Sequence, residues 1–118
     1  MPRFAANVSM LFTEVSFLER FQRARAAGFE AVEFLFPYEH DADEIAAALS
    51  ENGLTLALFN FPAGDFGAGD RGLASDPSRV GMFRDSAELA MQYADILRPE
   101  KMNCLAGKLL PGVSRQDQ

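Results

Sequence analysis

Three times along this chain a short apolar run is followed by a helix-start signal and then by another apolar run. The runs cover residues 3–8, 31–38, 54–60 and 101–107, and each is apolar on both faces apart from isolated polar residues. Strands of that kind belong in a parallel sheet covered by helices. The helix signals between them are specific. Ser16 with Glu19 and Asp41 with Glu44 have the capping-box spacing, and Asp76 precedes Pro77, which suits the first helical position. Gly28 and Gly53 close the first two helices, because glycine accepts the left-handed conformation past a helix end. The third helix is expected over 77–97, with Val80, Phe83, Ala87, Ala90, Met91 and Ala94 as its apolar stripe. The expected order is β-α-β-α-β-α-β, and residues 108–118 add no further element.

Two architectures have this alternation, a small doubly wound sheet and part of a (β/α)8 barrel. A nucleotide site in the first would need a glycine-rich turn directly after the first strand. Here that turn reads SMLFTEVS, without glycine. Polar residues instead gather where the strands end: Asn7 and Ser9, Glu33 and Tyr38, Asn60, and Asn103. In a (β/α)8 barrel that end binds ligands, and a whole barrel takes about 250 residues. The 118 residues are therefore expected to form the N-terminal part of a single TIM-barrel domain, α/β in class, cut after its fourth strand.

Charge narrows the partners. A net charge of −6, with the eleven Lys and Arg scattered, leaves no basic stripe for nucleic acid or an anionic membrane. No apolar stretch approaches the length of a membrane span. The single cysteine, Cys104, makes no internal disulfide, and with no signal-peptide pattern at the N-terminus the expected location is the cytoplasm.

The most unusual segment is the long connection after the third strand, which opens NFPAGDFGAGDRG at residues 60–72. Connections of this length in compact domains are usually functional or disordered. Together with FAANVSMLF, GFEAVEFLFPY and MNCLAGK, it resembles the N-terminal half of the hydroxypyruvate isomerase family, within the xylose isomerase-like barrels. The resemblance runs from about residue 3 to residue 113. It implies interconversion of hydroxypyruvate and tartronate semialdehyde through an enediolate. Superfamily relatives use two glutamates and a divalent metal for such chemistry, and the resemblance puts those groups on strands of the second half. It therefore implies no catalytic residue and no metal ligand in this chain. The implied pocket wall is Asn7, Glu33, Asn60, Asn103 and the 65–71 loop with Arg71. Phe66 stands where the family commonly has tryptophan, keeping an aromatic cover without the indole donor.

Each of these residues has a plainer reading. Glu33 could form an ion pair with a barrel lysine or arginine, Asn60 could simply form a turn, and Arg71 could bridge to Asp65 or Asp70. His40 is expected at a solvated helix start, Cys104 packed under a helix, and Lys108 in an exposed loop. Two alternatives to the isomerase stay open. One is another sugar isomerase or epimerase of the superfamily. The other is a non-catalytic half-barrel that associates with itself or another chain through its open edges, since unpaired strand edges invite pairing.

Overall fold

The computed structural model describes residues 1–118. Four strands, β1 (Ala5–Asn7), β2 (Ala31–Glu33), β3 (Thr55–Asn60) and β4 (Lys101–Asn103), form one parallel sheet in the order β1-β2-β3-β4. Three helices, α1 (Glu19–Ala26), α2 (Ala42–Glu51) and α3 (Val80–Leu97), connect them. A doubly wound sheet reverses its strand order at a switch point. This one never does: each βα unit adds its strand beside the last, which is how a barrel wall is built.

The core lies between the helices and one face of the sheet. Ala6, Val8, Val32, Phe34, Leu56 and Phe59 meet Phe21 and Ala24 of α1, Ile45 and Leu49 of α2, and Leu97 of α3. An aromatic series runs through it, with ring centroids 5.4 Å apart for Phe17–Phe21, 6.2 Å for Phe21–Phe34 and 6.1 Å for Phe34–Phe59. Complete burial of each such side chain stabilises the fold by about 1.5–3 kcal/mol, so these phenylalanines fix which sheet face turns inward. The opposite face carries Asn7, Glu33, Leu58, Asn60, Lys101 and Asn103.

Several expected boundaries shift for local reasons. Asp41 caps α2 as expected, its carboxylate accepting from the backbone N–H groups of Asp43 and Glu44. At α1 only half of the capping box forms. The Glu19 carboxylate accepts from the Ser16 N–H at 3.1 Å, but the Ser16 hydroxyl donates to that same carboxylate instead of accepting from the helix. The helix consequently starts at Glu19. The second strand ends at Glu33, well before Tyr38, because the register slips by a residue: Val32 lies opposite Leu56, and Glu33 opposite Leu58. The chain still follows β3 to Leu35, whose carbonyl accepts from the Asn60 N–H, and then turns at the buried Pro37.

Asp76 caps a single 3₁₀ turn, Pro77–Arg79, that leads into α3. Of the expected apolar stripe, Ala90 is buried, whereas Val80 and Met91 are exposed. No later helix among these residues covers them. Cys104 is likewise exposed rather than packed under a helix, for the same reason. No helix is long and apolar enough to cross a membrane.

Candidate functional site

The loops that follow the four strands meet at the C-terminal edge of the sheet, and side-chain hydrogen bonds tie them together. Asn7 Oδ1 accepts from the Ser9 N–H at 3.0 Å, turning the chain as β1 ends. The Ser9 hydroxyl then accepts from the Leu35 N–H at 2.8 Å, which joins the loops after β1 and β2. Arg20 of α1 donates to the Val8 carbonyl at 2.9 Å and holds the same loop from below.

At the other end of this edge, Asn60 and Asn103 occupy matching positions on β3 and β4. Asn103 Nδ2 donates to Asn60 Oδ1 at 3.0 Å. Asn60 is 5% exposed, and its backbone carbonyl accepts the Tyr38 hydroxyl. Burial, and then the neighbouring Tyr93, push the Tyr38 hydroxyl far above its ordinary pKa, so it stays a donor. No buried side-chain nitrogen or oxygen lacks a partner. The second amide group of each asparagine, which makes no bond within the chain, is therefore open to solvent or ligand. Whichever way the two amides are turned, the pair offers at least one free donor and one free acceptor.

The long loop is built around Asp70. Asp70 Oδ2 accepts from the Asp65 N–H at 2.8 Å and from Arg79 Nη1 at 2.8 Å, while Arg79 Nε reaches Asp76 Oδ2, also at 2.8 Å. The Arg79 hydrogen bond holds the Asp70 carboxyl below the usual aspartate range, and bonds from Ser78 and then Arg79 do the same for Asp76. Arg79 is thus the cation that orders the loop. Arg71, expected to bridge to Asp65 or Asp70, forms neither ion pair. Its guanidinium lies 4.0 Å from the Phe66 ring centroid and donates through Nη1 to the Phe66 and Asp70 carbonyls. The proximity of Asp70 to Arg79 explains this choice: the aspartate carboxylate is already engaged from the other side.

Gly72 closes the loop. Its φ is +124°, and it pairs with Ala106 in an isolated antiparallel bridge, while the Ser75 N–H donates to the Ala106 carbonyl at 2.7 Å. The loops after β3 and β4 are thereby zipped into one wall. Phe66, at the outer end of that wall, leans on Phe36 with ring centroids 5.2 Å apart.

Between this wall and the β2 loop lies a cleft of about 560 Å³, lined by Ser9, Leu35, Phe36, Pro62, Gly64 and Phe66 among others. A second cleft, about 470 Å³, lies at the opposite edge around Phe4, Gly28, Phe29 and Glu100. In parallel βα folds of this kind the ligand side is the C-terminal edge, which selects the first cleft. Of the expected pocket wall, Asp65, Phe66 and Gly67 of the 65–71 loop line it, whereas Asn7, Glu33, Asn60, Asn103 and Arg71 do not. Asn7, Glu33, Asn60 and Asn103 lie on the adjoining open sheet face, and Arg71 lies in the loop against the Phe66 ring. Glu33 is half-buried there and makes no ion pair. Of the cleft residues not singled out from the sequence, Phe36 was legible only as part of a strand that in fact ends at Glu33, and Glu39 lies just beyond the expected strand. His40 is half-buried against Phe17, ring centroids 4.3 Å apart, rather than solvated. No three His, Cys, Asp or Glu side chains converge in a way that could hold a metal ion.

Comparison with known proteins follows the same line. The family model described as xylose isomerase-like TIM barrel matches residues 21–118. The chain is 53% identical over 111 residues to a Cupriavidus necator protein named 2-oxo-tetronate isomerase, covering 94% of this chain and 42% of that protein. It is 48% identical to the Escherichia coli protein named hydroxypyruvate isomerase, covering 98% and 45%. A crystal structure from Brucella melitensis, titled AP endonuclease, family 2, superposes with a TM-score of 0.93 at 49% identity, covering 99% of this chain and 45% of that one. The chain thus spans less than half the length of the relatives it matches.

Proposed function

Because the chain belongs to the xylose isomerase-like TIM-barrel family, we propose that it forms part of the pocket of an isomerase for small hydroxy-keto acids. The proposed reaction interconverts hydroxypyruvate and tartronate semialdehyde. A base removes a proton from the carbon beside the carbonyl, an enediolate forms, and the proton returns to the former carbonyl carbon. The observation that carries this reading is the Asn60–Asn103 amide pair at the C-terminal edge of the sheet. A free donor beside a free acceptor matches a carbonyl oxygen beside a hydroxyl, the two groups that exchange roles in this reaction. The names of the two bacterial isomerases, hydroxypyruvate and 2-oxo-tetronate, describe substrates of that same class.

In this reading Asn60 and Asn103 hold the two reacting oxygens, and Asn7 and Glu33 line the lumen beside them. The free guanidinium edge of Arg71 faces the substrate carboxylate, with Phe66 as the apolar cover. The residues present do not fit a divalent metal, since no ligand cluster exists among them, and no step here runs through one. The proton-transferring groups likewise lie outside these residues. Nucleic acid fits the site poorly: the net charge is −6, and one lysine, Lys101, stands on the lumen face of the four strands.

Calorimetric titration tests the reading. Hydroxypyruvate binds, whereas pyruvate, which lacks the hydroxyl, binds roughly five- to tenfold more weakly, as expected for one lost hydrogen bond of about 1 kcal/mol. Asn103→Ala removes that difference. Equal affinity for the two acids in the parent chain would refute the assignment.

A further inference from the structure

Asn7, Asn60 and Asn103 precede valine, phenylalanine and cysteine, and Asn52 alone precedes glycine. With no side chain on Gly53 to shield it, the Gly53 nitrogen is sterically free to attack the neighbouring side-chain amide. The pair ends α2, where Asn52 caps the helix with φ −95° and ψ 0°, and Gly53 follows in the left-handed region at φ +60°. Hydrogen bonds fasten both residues in place. Asn52 Nδ2 donates to the Ala48 carbonyl at 2.8 Å, the Gly53 N–H to the Ser50 carbonyl at 3.1 Å, and the Leu54 N–H to the Leu49 carbonyl at 2.9 Å. Leu54 is buried, whereas Gly53 is exposed to water.

We propose that Asn52 is a site of spontaneous deamidation gated by the last turn of α2, and that the product unfastens that same turn. Water is the only co-reactant. The Gly53 nitrogen loses its proton and bonds to Asn52 Cγ; the Cγ–Nδ2 bond breaks, and ammonia leaves carrying the proton. Water then opens the imide ring at either carbonyl, leaving aspartate or isoaspartate. Ring closure sets the gate. It needs the Asn52 Cβ in line with the Gly53 nitrogen, a ψ of roughly −120° for an L-residue, which lies outside the allowed regions. From the observed ψ of 0°, that rotation pulls the Gly53 and Leu54 N–H groups off the Ser50 and Leu49 carbonyls. In the folded turn the attacking nitrogen and the leaving amide are both engaged. The reaction therefore proceeds from the frayed turn, and helix ends are among the segments that open at least cost.

The product puts charge where the helix tolerates it least. A carboxylate at residue 52 accepts but does not donate, so the bond from Nδ2 to the Ala48 carbonyl is lost. It also adds a negative charge beside Glu51, in a last turn that holds no basic residue, where the helix dipole opposes it. Neither step involves the amide pair or the cleft, so the inference stands apart from the isomerase reading.

Incubating the purified chain at mildly alkaline pH, in native buffer and in parallel in urea, tests the gate, with peptide mass mapping and enzymatic isoaspartate detection as readouts. In urea Asn52 is modified before the other asparagines. In native buffer the same modification is slower by roughly tenfold or more, in step with the hydrogen-exchange protection of the Gly53 and Leu54 amides. Equal rates in the two conditions, a faster native rate, or earlier modification of Asn7, Asn60 or Asn103 would each overturn the proposal. Asn52→Asp reads the second half of it: the Gly53 and Leu54 amides exchange roughly two- to fivefold faster than in the parent, and unchanged exchange would refute the unfastening. Should that variant fail to fold, the same amides are followed in the parent chain after partial deamidation, with the same two outcomes.

Discussion

Gly72→Ala and Gly81→Ala make the same chemical change with opposite expected signs. At Gly72 the backbone sits at φ +124°, and a Cβ placed there falls 2.0 Å from the Leu105 carbonyl oxygen. That oxygen belongs to the backbone of the β4 loop and cannot rotate away. Holding an L-residue at such a φ costs about 1–3 kcal/mol, and relieving the overlap by moving backbone costs about 1–3 kcal/mol more. The sum, roughly 2–6 kcal/mol, is a large share of the ~5–15 kcal/mol that holds a typical domain folded. Gly81 lies in α3 with an ordinary φ and nothing within 4 Å of its Cβ position. Alanine there should stabilise by up to about 1 kcal/mol, chiefly by restricting the unfolded chain. Urea titration followed by circular dichroism reads both, with the midpoint shifting and the slope unchanged. In thermal unfolding Gly72→Ala should lower Tm by on the order of 10–20 °C. A Gly72→Ala midpoint indistinguishable from the parent would refute the view that the β3 and β4 loops are locked against each other at this residue.

Three further outcomes are expected. Asp41→Ala removes the carboxylate that accepts from the Asp43 and Glu44 N–H groups, and should cost about 1 kcal/mol by the same urea assay. Acid should destabilise the long loop. The folded-state pKa values of Asp70 and Asp76 are depressed by hydrogen bonds from Arg79 and Ser78. Their stabilising contribution is complete above the ordinary aspartate pKa of about 3.9 and is lost as pH falls through the lowered values. Urea midpoints measured below pH 4 should decline less steeply in Asp70→Asn than in the parent. Tyr38→Phe deletes the hydroxyl bonded to the Asn60 carbonyl and should cost about 1 kcal/mol, with hydroxypyruvate binding weakened as Asn60 loosens.

What the sequence revealed, it revealed through local chemistry. The alternation of apolar runs, the Asp41 cap and the Asp76-Pro77 start each act within a few residues and each appears in the expected order, although β2 and β4 are shorter than the runs that carry them. The polar strand ends were legible too, and Asn60 with Asn103 do meet across β3 and β4. What escaped was long-range. The slip between Val32 and Glu33 depends on how β2 seats against β3, so the strand's early end left no mark in its own residues. The partner of Asp70 was sought next door, at Arg71, although Arg79 was the cation within reach once the 3₁₀ turn folded back. Gly72 and Gly107 both carry positive φ where the loops after β3 and β4 touch, but only the folded chain shows that the two glycines belong to one contact. Cys104 and Met91 were expected to be covered, because strand and helix pattern alone cannot tell whether a following helix is there to pack on them.

The central claim is that the C-terminal edge of this sheet receives a small hydroxy-keto acid between the amide pair and the Phe66 loop. Residue-resolved amide NMR during titration with hydroxypyruvate tests it most directly. The account predicts shifts of the Asn60 and Asn103 side-chain amides, with the backbone of Leu35, Phe36 and the 64–67 segment following in proportion. Shifts confined to the opposite cleft, at Phe4, Gly28, Phe29 and Glu100, or the absence of any saturable shift, would contradict it.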